Sequence, residues 1–135
     1  MSGPEEHNSA AWLVDRHVAA GDGDRVAVRC AGIDTTYAEL ATESFRVQHA
    51  LAELGVGAGD RVVLVLDDDL SFPAWFLGAQ RSAVVPVPLS TMLTADELGP
   101  IVADAGAVAL VVSARYAAVV ETVVAAAPSI GRVVI

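Results

Sequence analysis

Lysine is absent from this sequence, so all eight of its basic residues are arginines. They stand against 17 acidic residues, which gives a formal net charge of −9 at pH 7. Nucleic-acid binding requires a cationic surface that neutralises phosphates. The charge therefore argues against nucleic acid as a partner, and the lack of lysine excludes chemistry that needs a lysine ammonium group.

Cysteine and long apolar runs are also scarce. The single cysteine, Cys30, has no partner for an internal disulfide, which fits a reducing cytoplasm. No apolar run reaches the roughly 18 residues of a membrane span, and no basic stretch with an apolar segment opens the chain. These absences predict a cytoplasmic protein with no membrane partner.

The residues that are present suffice for one domain with a real core. Hydrophobic residues make up 54% of the chain, above the usual range of about 45–50%. We expect a single α/β domain over residues 1–135, with a mobile tail over residues 1–7. The apolar excess predicts a dense core or a surface that seeks a partner, so we also expect self-association.

Four apolar, β-rich runs recur in the second part of the chain, with starts about 21 to 25 residues apart. They are VVLVL (62–66), AVVPVP (83–88), VALVV (108–112) and RVVI (132–135), and a helical segment separates each pair. Continuous apolar strands that alternate with helices are typical of a parallel sheet covered on both faces. The predicted fold class is therefore α/β, an open, mostly parallel, doubly wound sheet of about four βα units.

Cap and turn residues predict a helix and a hairpin ahead of this sheet. The helix begins at Asn8 or Ser9 and ends at Gly21. The runs RVAVRC and IDTTY then form a short β-hairpin that turns at Ala31-Gly32.

Two capping boxes and two prolines mark the surroundings of the sheet. TYAE (36–39) and TADE (94–97) each begin a helix. Pro86 and Pro88 lie two residues apart, so both remove an N–H from the same edge of one strand, which should pair on one side only. Ligands of α/β sheets bind at the carboxyl ends of the strands, so this corner is either a ligand site or only a guarded edge.

Asp67-Asp68-Asp69 follow a strand and are the first candidates for metal chemistry, because three carboxylates can hold Mg²⁺. A phosphate-receiver domain keeps acidic residues at such a place, but it also needs a lysine. The alternative is that the carboxylates stabilise the N-terminus of the next helix, where they would repel a phosphate.

Other candidate motifs lack the pattern that their chemistry needs. GVGAGD (55–60) has the glycines of a dinucleotide site, but it follows a helix and precedes a strand, so it predicts a helix end and a turn. The histidines have no metal-ligand spacing: His7, His17 and His49. Arg61 and Arg81 are the better candidates for binding an anion, since a guanidinium can clamp a phosphate, and the alternative is two solvated side chains.

Three stretches, in this order and spacing, resemble the start of an adenylate-forming acyl-CoA ligase of the AMP-binding superfamily. They are NSAAWLVDRHVAAGDGDRVAV, TTYAELATESFRVQHALAELGVGAGDRVVLVL and FPAWFLGAQRSAVVPVPLSTMLTADEL, which cover most of the chain. Within the superfamily, LVDRHVAAG, FPAWFLGA and PVPLSTMLTADEL are most similar to benzoate-CoA ligases.

The resemblance implies a parent enzyme that activates a small carboxylic acid, benzoate-like, with ATP and Mg²⁺ and passes the acyl group to CoA. It implies that this chain is a partial N-terminal subdomain of the adenylate-forming fold, with the remainder of the ligase as its partner. The family's phosphate-loop lysine and catalytic lysine have no counterpart here. We therefore expect the 135 residues alone to be inactive and to bind no ATP, Mg²⁺ or CoA, and we expect the gene to continue past Ile135.

The resemblance also locates an acceptor site. It makes Ala83, Ser90 and Thr91 one wall of a CoA channel, with Ala83 as the small residue beside the pantetheine arm. Relatives often have glycine at the position of Ala83. Many relatives have an arginine that reaches a CoA phosphate at the position of Met92, and Met92 cannot make that contact.

Two other functions stay open on this sequence. One is an adenylation domain that loads a carrier-protein thiol instead of CoA. The other is a stand-alone, non-catalytic interaction module.

Overall fold

A computed structural model of the chain describes residues 8–135. The predicted mobile tail over residues 1–7, with His7, lies outside the described residues. No helix in the described part is long and apolar enough to span a bilayer.

The described residues begin with a helix that has a π-helical part, Ala11–Asp15, and an α-helical part, α1 (Arg16–Ala19). The Asn8 side chain accepts a hydrogen bond from the Ala10 N–H at 2.9 Å, and Gly21 follows the last turn with φ +88°. Both ends of this helix therefore confirm the prediction.

An antiparallel hairpin comes next. β1 (Val26–Cys30) pairs with β2 (Ile33–Thr36). The turn residues Ala31 and Gly32 have φ of 49° and 80°, the two left-handed residues that a tight hairpin turn requires. The predicted hairpin is confirmed.

The other strands form one four-stranded parallel sheet in the order β4-β3-β5-β6. They are β3 (Arg61–Val65), β4 (Val85–Pro88), β5 (Ala109–Val112) and β6 (Arg132–Val134). The helices that cover them are α2 (Tyr37–Glu53), α3 (Ser71–Arg81), α4 (Ala95–Ala105) and α5 (Val120–Ala126), and a 3-10 segment, Ala114–Val119, precedes α5. The predicted α/β fold class is confirmed.

Helices lie on both faces of this sheet, which makes it doubly wound. Successive strand residues point to opposite faces. On β3, Val62 and Leu64 pack with α2 and α3, whereas Val63 and Val65 pack with α4 and α5. These side chains are fully buried, which is why the strands read as continuous apolar runs.

The two prolines lie on an edge strand, as predicted. Among the strands of residues 8–135, β4 is bonded to β3 alone. The Val85 N–H donates to the Asp60 carbonyl at 2.8 Å, toward β3. Since N–H directions alternate along a strand, Pro86 and Pro88 occupy the positions that face the open edge.

Candidate functional site

The carboxyl ends of β3, β4 and β5 meet at a cavity of about 530 Å³, called here the carboxyl-edge cavity. Its lining is Leu66, Asp67, Asp68, Phe72, Leu89, Ser90, Thr91, Met92, Arg115 and Tyr116. This edge is where α/β sheets bind ligands. The fold thus brings Ser90, Thr91 and Met92 together with side chains from two other strand ends.

A hydrogen-bond network connects the ends of β3 and β5 at this cavity. The Asp67 carboxylate accepts from the Tyr116 hydroxyl at 3.0 Å and from Arg115 Nη1 at 3.3 Å. The Asp67 N–H donates to Ser113 Oγ at 2.9 Å. The pKa of Arg115 lies above its ordinary value, raised first by hydrogen bonding with Tyr116 and then by the Asp67 carboxylate.

A compact turn holds the residues that follow β4. Ser90 Oγ accepts from the Met92 N–H at 3.2 Å, and the Ser90 carbonyl accepts from the Leu93 N–H at 3.3 Å. The predicted capping box then begins α4, because Thr94 Oγ1 accepts from the Glu97 N–H at 3.3 Å. Ser90 and Thr91 therefore lie on a turn that is fixed at both ends.

The three adjacent aspartates do not converge on one point. Asp67 is engaged by Arg115, while Asp69 accepts from the Ser71 N–H at 2.8 Å at the start of α3. The prediction that the aspartates stabilise this helix start is confirmed for Asp69 and wrong for Asp67. Among residues 8–135, no group of three or more His, Cys, Asp or Glu side chains is placed to hold a metal ion.

Ala83 lies at the other end of β4 from Ser90 and Thr91. It precedes β4, whereas Ser90 and Thr91 follow it, so the seven intervening steps of roughly 3.3 Å put them at opposite ends of the strand. Ala83 lines a different cavity of about 780 Å³ with Asn8, Ser9 and residues 80–86. Its φ of 55° is left-handed, which supplies a backbone reason for the glycine that relatives often have there.

Arg81 is not a free anion-binding group, and that prediction is wrong. Its side chain is only 5% exposed. Two of its nitrogens donate to the Asp15 carboxylate at 2.7 and 2.8 Å, and its Nε donates to Ser44 Oγ at 2.9 Å. Its guanidinium carbon also lies 3.8 Å from the centre of the Phe45 ring. The hydrogen bonds that Arg81 donates therefore hold the first helix against α2 and α3.

The remaining candidate side chains contact neighbouring protein groups or lie exposed at the surface. Arg61 Nη1 donates to the Ala105 carbonyl at 2.7 Å, at the end of α4. His17 lies against the Tyr37 ring with 4.4 Å between centroids, and His49 is an exposed residue of α2. The glycines of GVGAGD form the turn before β3, as predicted, with positive φ at its first and last glycine.

The chain is similar to several known proteins over most of its length. Over 129 residues it is 36% identical to a 4-hydroxybenzoate–CoA/benzoate–CoA ligase of Rhodopseudomonas palustris, covering 96% of this chain and 24% of that protein. Over 102 residues it is 36% identical to a fatty acid–[acyl-carrier-protein] ligase of Streptomyces coeruleorubidus, covering 76% of this chain and 20% of that protein. Its fold matches the crystal structure of a benzoate CoA ligase from Burkholderia xenovorans LB400 with a TM-score of 0.86 and 29% identity, covering 96% of this chain and 26% of that one.

The chain thus spans about a quarter of the length of these two benzoate–CoA ligases. The family model described as AMP-binding enzyme matches residues 15–135, which is nearly all of the chain. The chain therefore belongs to the family of AMP-binding enzymes, as its motifs predict.

Proposed function

We propose that these residues are the N-terminal part of an acyl- or aryl-CoA ligase, which converts a carboxylic acid, ATP and CoA to acyl-CoA, AMP and pyrophosphate. The observation that carries this proposal is the 36% identity to a 4-hydroxybenzoate–CoA/benzoate–CoA ligase over 96% of the chain. Residues 1–135 then form one α/β domain whose partner is the remainder of the ligase. A reaction that consumes ATP and CoA suits the cytoplasm, as does an unpaired Cys30.

The acid that we propose is benzoate or a ring-substituted relative, on the strength of the same match. The test is CoA consumption by the full-length protein with benzoate, acetate and octanoate as alternative acids. We expect benzoate to be preferred. A clear preference for either aliphatic acid would overturn the aromatic assignment.

The 135 residues alone should not form an acyl-adenylate. ATP, Mg²⁺ and CoA belong to the full-length ligase in this proposal, because the chain has no lysine to stabilise the transferring charge. The measurement is benzoate-dependent exchange of pyrophosphate into ATP by the purified chain. Exchange above the level without benzoate would contradict the proposal.

A second candidate acceptor is a carrier-protein thiol, which the match to a fatty acid–[acyl-carrier-protein] ligase favours. Supplying the full-length protein with CoA or with a phosphopantetheinylated carrier protein separates the two. Faster thioester formation on the carrier protein would select this candidate. No thioester with either acceptor and no pyrophosphate exchange would instead favour a non-catalytic interaction module.

A further inference from the structure

A further cavity, called here the hairpin cavity, lies between the β-hairpin and the helices α2 and α3, with a volume of about 610 Å³. Four side chains on one face of the hairpin line it: Val28, Cys30, Ile33 and Thr35. They are two directly paired positions of β1 and β2, whose side chains lie on the same face of the ladder. Residues of α2 and of the start of α3 form the opposite wall. The volume lies in the range of about 300–1,000 Å³ that is typical of small-molecule sites.

Thr35 contributes a polar group to this cavity that has no partner in the described part of the chain. The residue is only 7% exposed, and its hydroxyl makes no hydrogen bond to any of residues 8–135. Among those residues, Gln80 Oε1 is the only side-chain nitrogen or oxygen that is both unpartnered and sealed from solvent, so the Thr35 hydroxyl is open to the cavity. A polar group at this depth is costly without a hydrogen bond, and a bound molecule can supply one.

The charged groups in the lining of the hairpin cavity are all acidic. They are the carboxylates of Glu43 and Asp69, and the lining includes no arginine or histidine. Arg46 pairs with Glu43 from outside the lining, and Asp69 accepts from the Ser71 N–H at the start of α3. Even with the charge of Arg46 counted, the cavity has a net negative charge, which attracts cations and repels anions.

The rest of the wall is largely apolar. Each neighbouring element contributes to it: Val28, Ile33, Val47, Leu70, Ala74 and Trp75. A wall of this kind binds the hydrocarbon part of a ligand, and a few polar groups fix its orientation. A molecule that suits both parts of the lining has an apolar body and a positively charged group that donates hydrogen bonds. A small primary amine has both, because an ammonium group has three donors and no acceptor.

We propose that the hairpin cavity is a binding site for a small apolar amine. Its ammonium group donates a hydrogen bond to the Thr35 hydroxyl and is attracted by the carboxylates of Glu43 and Asp69. The inference concerns amine binding and holds whether or not the protein is a ligase. It predicts that a carboxylate with the same apolar body binds poorly here.

The test uses the full-length protein and the alkylation of Cys30 by iodoacetamide, because the half-buried Cys30 lies in the cavity lining. Mass spectrometry of the peptide that contains Cys30 measures the rate at this thiol alone. Three probes share one ring and differ in charge at pH 7: benzylamine is a cation, benzyl alcohol is neutral and benzoate is an anion. We expect benzylamine to protect Cys30 at a concentration about fivefold to tenfold below that needed for benzyl alcohol, and benzoate to give no protection.

Two variants test the residues that the proposal names. Glu43→Gln removes a charge at a partly exposed position of α2, and it should raise the half-protecting concentration of benzylamine about threefold to tenfold without affecting benzyl alcohol. Thr35→Val keeps the shape of the side chain and suits a strand. It should raise both concentrations about threefold to tenfold, because it removes the hydroxyl. The matched control is Glu53→Gln, at the other end of α2 and outside the cavity lining, which should change neither.

Four results would overturn the inference. The first is that benzylamine gives no protection at any concentration that leaves the protein folded. The second is that benzoate protects Cys30 as well as benzylamine does. The third is a Cys30 that iodoacetamide reaches only after unfolding, because the rest of the protein would then fill the cavity. The fourth is that Glu43→Gln and Thr35→Val shift the half-protecting concentrations no more than Glu53→Gln does.

Discussion

At the scale of single residues, Arg81 joins the first helix to α2 and α3 through a nearly buried ion pair with Asp15. Arg81→Met should lower the free energy of unfolding by about 2–4 kcal/mol, because it leaves the half-buried Asp15 carboxylate without its partner. The matched control is Arg25→Met, since Arg25 is 67% exposed in its pair with Asp22, and exposed pairs contribute less than about 1 kcal/mol. Urea unfolding measures both. Equal losses would contradict a special role for Arg81.

Ala83 has a left-handed backbone conformation, with φ of 55°. A side chain costs about 1 kcal/mol or more there, and glycine does not. Ala83→Gly should therefore raise the free energy of unfolding, although glycine also increases the entropy of the unfolded chain. Ala103→Gly, at an exposed position inside α4, should lower it by about 1 kcal/mol. A loss at both positions in urea would show that Ala83 is not strained.

Glu97 makes the capping box of α4 sensitive to pH. Its carboxylate accepts from the Thr94 N–H at 2.8 Å and from the Thr94 hydroxyl at 3.0 Å, and these bonds lower the pKa of Glu97. Because the folded-state pKa lies below the unfolded one, this contribution is complete above the unfolded pKa and is lost as the pH falls through the folded pKa. The difference in unfolding free energy between wild type and Glu97→Gln should thus be present at neutral pH and disappear in acid. A difference that stays constant down to pH 2–3, well below the ordinary glutamate pKa of about 4.3, would contradict this.

At the scale of elements, α2 and α3 approach closely at Gly78. A Cβ built there would lie 2.5 Å from Val47 Cβ and 2.7 Å from the Ser44 carbonyl oxygen. Gly78→Ala should therefore destabilise the protein by about 3 kcal/mol, because the helices must separate on the sheet. The control is Gly57→Ala, where nothing lies within 4 Å. A thermal or urea transition of Gly78→Ala that matches the control would mean that the helices shift without cost.

At the scale of the whole molecule, the two edges of the sheet differ. The prolines leave β4 without outward N–H groups, whereas β6 keeps them. Because the Gly131 N–H donates to the carbonyl of Val108, the residue just before β5, alternation turns the N–H groups of Arg132 and Val134 to the open edge. An open edge of this kind is a template for pairing with another chain, so β6 is the surface at which we expect self-association.

We therefore predict that the purified 135-residue chain forms dimers at micromolar concentration. The net charge of −9 opposes association, but salt screens that repulsion beyond about 8–10 Å. Val134→Pro should reduce dimerisation, because it removes an outward N–H and leaves the bonds to β5 intact. Light scattering over a tenfold dilution measures the mass. A wild-type chain that stays monomeric throughout would contradict the prediction, and a variant that dimerises like wild type would exclude the β6 edge.

Much of the fold could be predicted because its signals are local. The box Thr94–Glu97 joins residues three positions apart, and the two prolines mark an edge through the period of a strand. The continuous apolar runs predict a sheet buried on both faces, which the packing of β3 confirms. The family could be identified from the sequence for a related reason, because its motifs keep their order and spacing along the chain.

Only the tertiary structure decided which distant side chains meet. Arg81 and Asp15 are 66 positions apart, and Asp67 and Tyr116 are 49 apart, so no spacing rule links them. The tertiary structure likewise decided that Ala83 lies at the opposite end of β4 from Ser90 and Thr91, because the strand runs between them. Short-range hydrogen bonds and periodicity depend on residues that are close together in the sequence. The charge of a site depends instead on which strand ends lie side by side in the sheet.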